Sequence, residues 1–138
     1  MSPSEALAVI AAGRDIGVDR MVVTHAQFEV VNMSFEEMKK AASMGAKLEL
    51  CAMGTLMGPE AHLAWMRHWR RVKVEETAAA VKEVGPQNFI LATDLGQTGN
   101  PSPADGLQLF VTDLIKAGLS KDQIMMAGRE VTGKLLMG

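Results

Sequence analysis

The sequence predicts an α/β fold with about three parallel strands and flanking helices, organised as part of a (β/α) barrel. Two observations carry the class. A unit of helical pattern, glycine and short β-rich run recurs three times along the chain. Strands separated by helices cannot pair through tight hairpins, so they pair in parallel through right-handed crossovers. A third observation narrows the architecture. An open doubly wound sheet has five or so strands and a closed (β/α)8 barrel needs about 250 residues, whereas this chain has 138. Three strands leave two sheet edges, which implies either pairing with further copies or a place in a larger barrel.

The first unit begins with Ser2, Pro3 and Glu5, an N-cap, a proline at the first helical position and a capping-box partner. Ala6, Leu7, Val9 and Ile10 give the helix its apolar face, and a strand over residues 21–24 ends at His25. In the second unit Ser34 and Glu37 form a capping box, Met33 and Met38 a hydrophobic staple, and Phe35, Met38, Ala41 and Ala42 keep helical spacing. Gly45 suits a left-handed stop before a strand over 47–52, which carries Glu49 and Cys51. The third unit is longer: "GPEAHLAWMRHWRRV" reads as a helix, "KVEETAAAVKEVG" as another or its continuation. Gly85-Pro86 breaks it before a strand over 88–93. Ser102-Pro103 and Ser120 with Gln123 then open two terminal helices. The Val, Ile and Leu content of the strands predicts a sheet covered on both faces. With no linker or low-complexity tract, residues 1–138 read as a single α/β unit.

Composition excludes some partners. Fourteen Lys and Arg against 16 Asp and Glu give a net charge of −2, which offers no attraction for nucleic acid or a membrane surface. No stretch approaches the roughly 20 apolar residues of a membrane span, and "MSPSEALAV" lacks the pattern of a signal peptide. Cys51 is the one cysteine, so no intrachain disulfide can form, and a reducing, cytoplasmic setting is the expectation.

In parallel α/β folds ligands gather beyond the carboxyl ends of the strands. His25, Glu49 and Asp94 fall at or near those ends. An imidazole with carboxylates suits Zn, Mn or Fe, and an aspartate beside such an ion can take a proton from water. Asp94 ends a very apolar strand and opens the loop "LGQTGNPSPADG", where Gln97 and Asn100 are candidate substrate-binding groups as well as plain turn residues. Glu49 is a possible further site group, while Cys51 on the same strand face reads better as an inert buried thiol. Trp65 and Trp69, four apart beside Arg67, Arg70 and Arg71, read as an amphipathic helix with packed tryptophans, or as a lid or subunit contact. His62 and His68 are six apart and make a poor metal pair on a helix.

"MVVTHAQF", "AKLELCA" and "FILATDLGQTGNPSPADGLQLFVTDLIKAGLS" resemble the last three strand–helix units of an amidohydrolase-like metal-dependent hydrolase, in the TIM-barrel superfamily that includes phosphotriesterase-type and TatD-type barrels. The nearer likeness is to uncharacterised members whose last strand carries an aspartate followed by a Gly-Gln and Asn-Pro loop. The resemblance implies that His25 binds metal and that Asp94 binds metal and acts as general base; Glu49 inherits no role from it. The family's His-x-His strand, bridging lysine or glutamate and additional histidine have no counterpart here, so the resemblance implies the C-terminal part of a barrel. His25 and Asp94 supply two ligands where a catalytic zinc typically takes three from protein. The implied chemistry is attack of metal-activated water on a carbonyl or phosphoryl centre of a small-molecule substrate. The alternative expectation is a non-catalytic half-barrel that self-associates into a homo-oligomer through the tryptophan segment and the sheet edges. A flavodoxin-like ligand-binding domain, a third option, would need more strands.

Overall fold

Serine hydroxyls set where four helices begin. In the computed structural model, which describes residues 1–137, Ser2, Ser34, Ser102 and Ser120 cap α1 (Pro3–Asp15), α2 (Phe35–Ser43), α4 (Pro103–Lys116) and α5 (Lys121–Met125). Each serine accepts a hydrogen bond from the backbone three residues on, satisfying an N–H that the helix itself leaves unpaired. Glu5, Glu37 and Gln123 reach back to the cap backbone and complete the expected boxes. The remaining helices are α3 (Val74–Val84) and α6 (Val131–Met137). Gly138, the last residue of the 1–138 unit, lies outside the described residues.

Three strands, β1 (Val22–Val23), β2 (Lys47–Cys51) and β3 (Phe89–Ala92), form one parallel sheet in the order β1-β2-β3. Val23 pairs with Leu48, Leu48 with Phe89, and Cys51 with Ala92. The α/β class, the parallel pairing and the two edges are therefore as expected. β1 is shorter than 21–24, though backbone pairing continues past it: Lys47 N–H donates to Met21 O and Ala26 N–H to Glu49 O.

Strand alternation sorts the core into two clusters. Val23, Leu48, Leu50, Phe89 and Leu91 pack with buried residues of α1 to α5, including Ile10, Met38, Val81, Leu114 and Ile124. Of the other parity, Cys51 and Ala92 join a second cluster built from loop residues, among them Phe28, Met53, Met57 and Met66. Lys47, Glu49 and Ile90, on that same parity, stay half-buried. Cover on both faces was the expectation: the helices share the Leu48–Phe89 face, and the opposite face, with Lys47, Glu49, Cys51, Ile90 and Ala92, is partly covered by the loop cluster.

Two further departures have local causes. The segment 58–72 is not a continuous helix; it folds as turns around a 3-10 turn at Ala64–His68. Its arginines hold loop carbonyls: Arg67 donates to Ala61 O and His62 O, and Arg71 to Met57 O. Arg70 pairs with Glu76 at 2.7 Å. These contacts bend the chain around Met66, which is fully buried, and they engage the basic cluster internally. In the terminal helix a π turn at Met126–Glu130 separates α5 from α6, bringing Gly128 close to Leu91 of β3.

Candidate metal centre

His25 and Asp94 each stand two residues beyond the last residue of their strand, β1 and β3. Both take left-handed backbone angles, φ 58° and φ 54°. Such angles are uncommon outside glycine, though Asn, Asp and His tolerate them best, and they cost of order 1–2 kcal/mol. They turn both side chains out of strand alternation and toward each other. His25 Nε2 lies 3.1 Å from Asp94 Oδ2, with each side chain about one-third exposed. The imidazole also stacks on Phe28, ring centroids 4.5 Å apart and planes within 10°. Phe28 is buried, so this contact fixes the ring from its other side. Phe28 was not singled out by sequence; its only signal is its place three residues after His25.

Glu49 and Cys51 project from β2, the central strand, on one face. One donor atom each from His25, Glu49 and Cys51 all lie within 4.8 Å of one another, a group that can hold a metal ion. Glu49 Oε2 is buried and has no hydrogen-bond partner. Burial pushes the Cys51 thiol well above its ordinary range, and the charges of Glu49 and Asp94 and a weak hydrogen bond from the thiol to Glu49 push it the same way. Asp94 meets the group through His25. The structure thus brings together His25, Asp94 and Glu49, and adds Cys51.

Gln97 and Asn100 do not join this group. Gln97 Nε2 donates to Asp94 O at 3.0 Å, and Asn100 Nδ2 donates to Gln97 Oε1 at 2.8 Å. They brace the loop that carries Asp94, while Asn100 Oδ1 is buried without a partner. Beside the imidazole lies an apolar hollow of about 230 Å³ lined by His25, Phe28, Val30, Met53, Met57, Trp65 and Trp69. The two tryptophans thus meet at this hollow without sharing a helix face. A larger hollow, about 420 Å³, runs along α1 and β1 and is lined by none of the four polar residues. Chemistry argues for the smaller one, where apolar walls adjoin convergent polar groups.

Fold and cluster together define an α/β chain with a metal-competent group at the carboxyl rim of a parallel sheet. A family described as being of unknown function, DUF6282, matches over residues 1–49, a stretch that holds His25 and Glu49 but stops before Cys51 and Asp94. No curated protein and no solved structure matches the chain. Among the described residues, no helix is long and apolar enough to cross a membrane.

Proposed function

We propose that the chain carries the metal centre of a hydrolase of the amidohydrolase type, on an arc of a (β/α) barrel. One observation carries the reading: His25 and Asp94, far apart in sequence, meet at 3.1 Å on the rim where such sites form. Two donors 3.1 Å apart and each about 2.1 Å from one ion would subtend roughly 95°, within the range of real coordination spheres. The one-sided helical cover also fits a barrel arc, in which helices lie outside and the inner strand face lines the centre.

A divalent ion held there supplies a Lewis acid for the scissile carbonyl or phosphoryl group and lowers the pKa of water. The chain's own residues do the rest. His25, clamped between Phe28 and Asp94, presents a fixed nitrogen. Asp94 offers a carboxylate oxygen that can accept the proton lost by the attacking water. The hollow beside His25 receives an apolar substituent of the small-molecule substrate and excludes water from one side.

The test uses the Zn²⁺- or Mn²⁺-loaded chain with p-nitrophenyl acetate and bis(p-nitrophenyl) phosphate as probes. His25→Ala and Asp94→Asn are each expected to lower hydrolysis by about 10²–10⁴-fold, the usual worth of a positioned acid–base group. Unchanged turnover in both variants would overturn the proposal.

A second reading, self-association into a homo-oligomer, has its own support. β1 is an edge strand, and Val9, Val22 and Met1 are exposed around the hollow that follows it. Sedimentation at several protein concentrations tests it; a monomer at every concentration would exclude it.

A further inference from the structure

We infer that Cys51 is a metal ligand, completing a His25–Glu49–Cys51 set, and that the ion is a thiophilic one such as Zn²⁺, Co²⁺ or Fe²⁺ rather than Mg²⁺ or Mn²⁺. The inference rests on the metal-hydrolase reading and deepens it. Sequence supplied two ligands, His25 and Asp94, where catalytic zinc typically takes three. The central strand now provides the rest. Glu49 and Cys51 sit two residues apart, so strand geometry puts both side chains on one face, and their donor atoms lie near that of His25.

Distances agree with one ion. The three donor atoms lie within 4.8 Å of one another. Ligand atoms around a tetrahedral zinc stand roughly 3.5 Å apart, so adjustments of about an ångström close the set. Glu49 Oε2 adds a further sign: it is buried without a well-formed hydrogen bond, the Cys51 thiol being a weak donor to that carboxylate, and a cation would satisfy it. Loading forms a metal–sulfur bond and releases the thiol proton to solvent, so no oxidant or reductant is needed. A thiolate in the set disfavours the hard ions, which prefer oxygen. With Glu49 and Cys51 added, Asp94, 3.1 Å from His25 Nε2, stays within reach of the same ion and of the water it would activate.

Cobalt titration of the whole chain tests this directly. Expected is Co²⁺ binding with both d–d bands and a near-ultraviolet thiolate-to-cobalt charge-transfer band, and loss of the latter in Cys51→Ser with the d–d bands retained. Zn²⁺ should also slow alkylation of Cys51 by iodoacetamide in the unmutated chain by about tenfold or more, a readout that does not depend on the variant folding. Cobalt d–d bands without the charge-transfer band would overturn thiolate ligation while leaving the hydrolase reading standing. Failure to bind Co²⁺ or Zn²⁺ at all would overturn both.

Discussion

Replacing Gly54 by alanine probes how the core holds the site. Gly54 sits in the 3-10 turn Ala52–Leu56, directly after β2. A Cβ there would stand 2.9 Å from Phe28 Cε1 and 3.0 Å from Val72 Cγ2, with Val72 Cβ at 3.2 Å. Neither neighbour is the loose end of a long side chain; Phe28 is 5% and Val72 2% exposed. The turn cannot easily back away, because Gly54 O accepts the Val72 N–H at 2.9 Å. Phe28 must therefore shift, and His25 stacks on it. Overpacking of this kind costs about 1–3 kcal/mol. For a chain of this size each kcal/mol lowers Tm by about 3–4 °C, so a loss of about 7 °C is expected for the middle of that range. Thermal unfolding followed by circular dichroism measures this, and Co²⁺ titration of the same sample should show weaker binding. Gly17→Ala is the control: nothing lies within 4 Å of its Cβ, but its φ is 82°, so it should lower stability by about 1–2 kcal/mol and leave cobalt affinity unchanged. A Gly54→Ala chain with unaltered Tm and unaltered metal affinity would refute the claim that Phe28 braces the site.

Three other outcomes are expected. Because burial raises the Cys51 thiol in the folded, ion-free chain, the unfolded chain ionises it first and binds fewer protons. Stability should thus fall as pH rises past about 8.5, by up to about 1.4 kcal/mol per unit, and urea melts of Cys51→Ala should lack that part of the slope. Thr77→Val removes the hydroxyl that donates to Gln27 Oε1 at 2.8 Å between two buried side chains, and should cost about 1–3 kcal/mol in urea unfolding. Ser34→Ala removes the cap of α2 and should cost about 1 kcal/mol by the same assay, without changing Co²⁺ affinity.

Much of the fold was legible because its signals are local. Serine caps with acid or amide partners three residues on, and glycine stops, mark helix ends wherever they occur. The stretch 58–72 defeated the same logic. Its apolar spacing is helical, but Arg67 and Arg71 place their guanidinium groups on carbonyls several residues away, and local periodicity does not reveal such contacts. Which residues of each strand meet the helices was also illegible, since β-rich composition does not say which face is which. The carboxyl-end rule singled out His25 and Asp94, whose side chains the structure brings to 3.1 Å of each other. Cys51 was read as an inert buried thiol, and the structure does bury it. Only the register that aligns β2 between the other strands shows that its sulfur and Glu49 reach the imidazole.

The backbone at His25 and Asp94 bears on function more than their side-chain chemistry alone. Both residues adopt left-handed angles at equivalent places, two beyond a strand, and neither is glycine. Had both strands continued in extended form, alternation would have put His25 on the face of Val23 and Asp94 on the face of Ala92. Those are opposite faces: Val23 pairs with Leu48 in the helix-covered core, and Ala92 packs in the loop cluster. The left-handed turns release both side chains from that alternation and let them converge over the strand between them. Glycine would hold these angles at no steric cost. Keeping an imidazole and a carboxylate there, at a backbone cost of order 1–2 kcal/mol each, is explained if the pair performs chemistry at the rim.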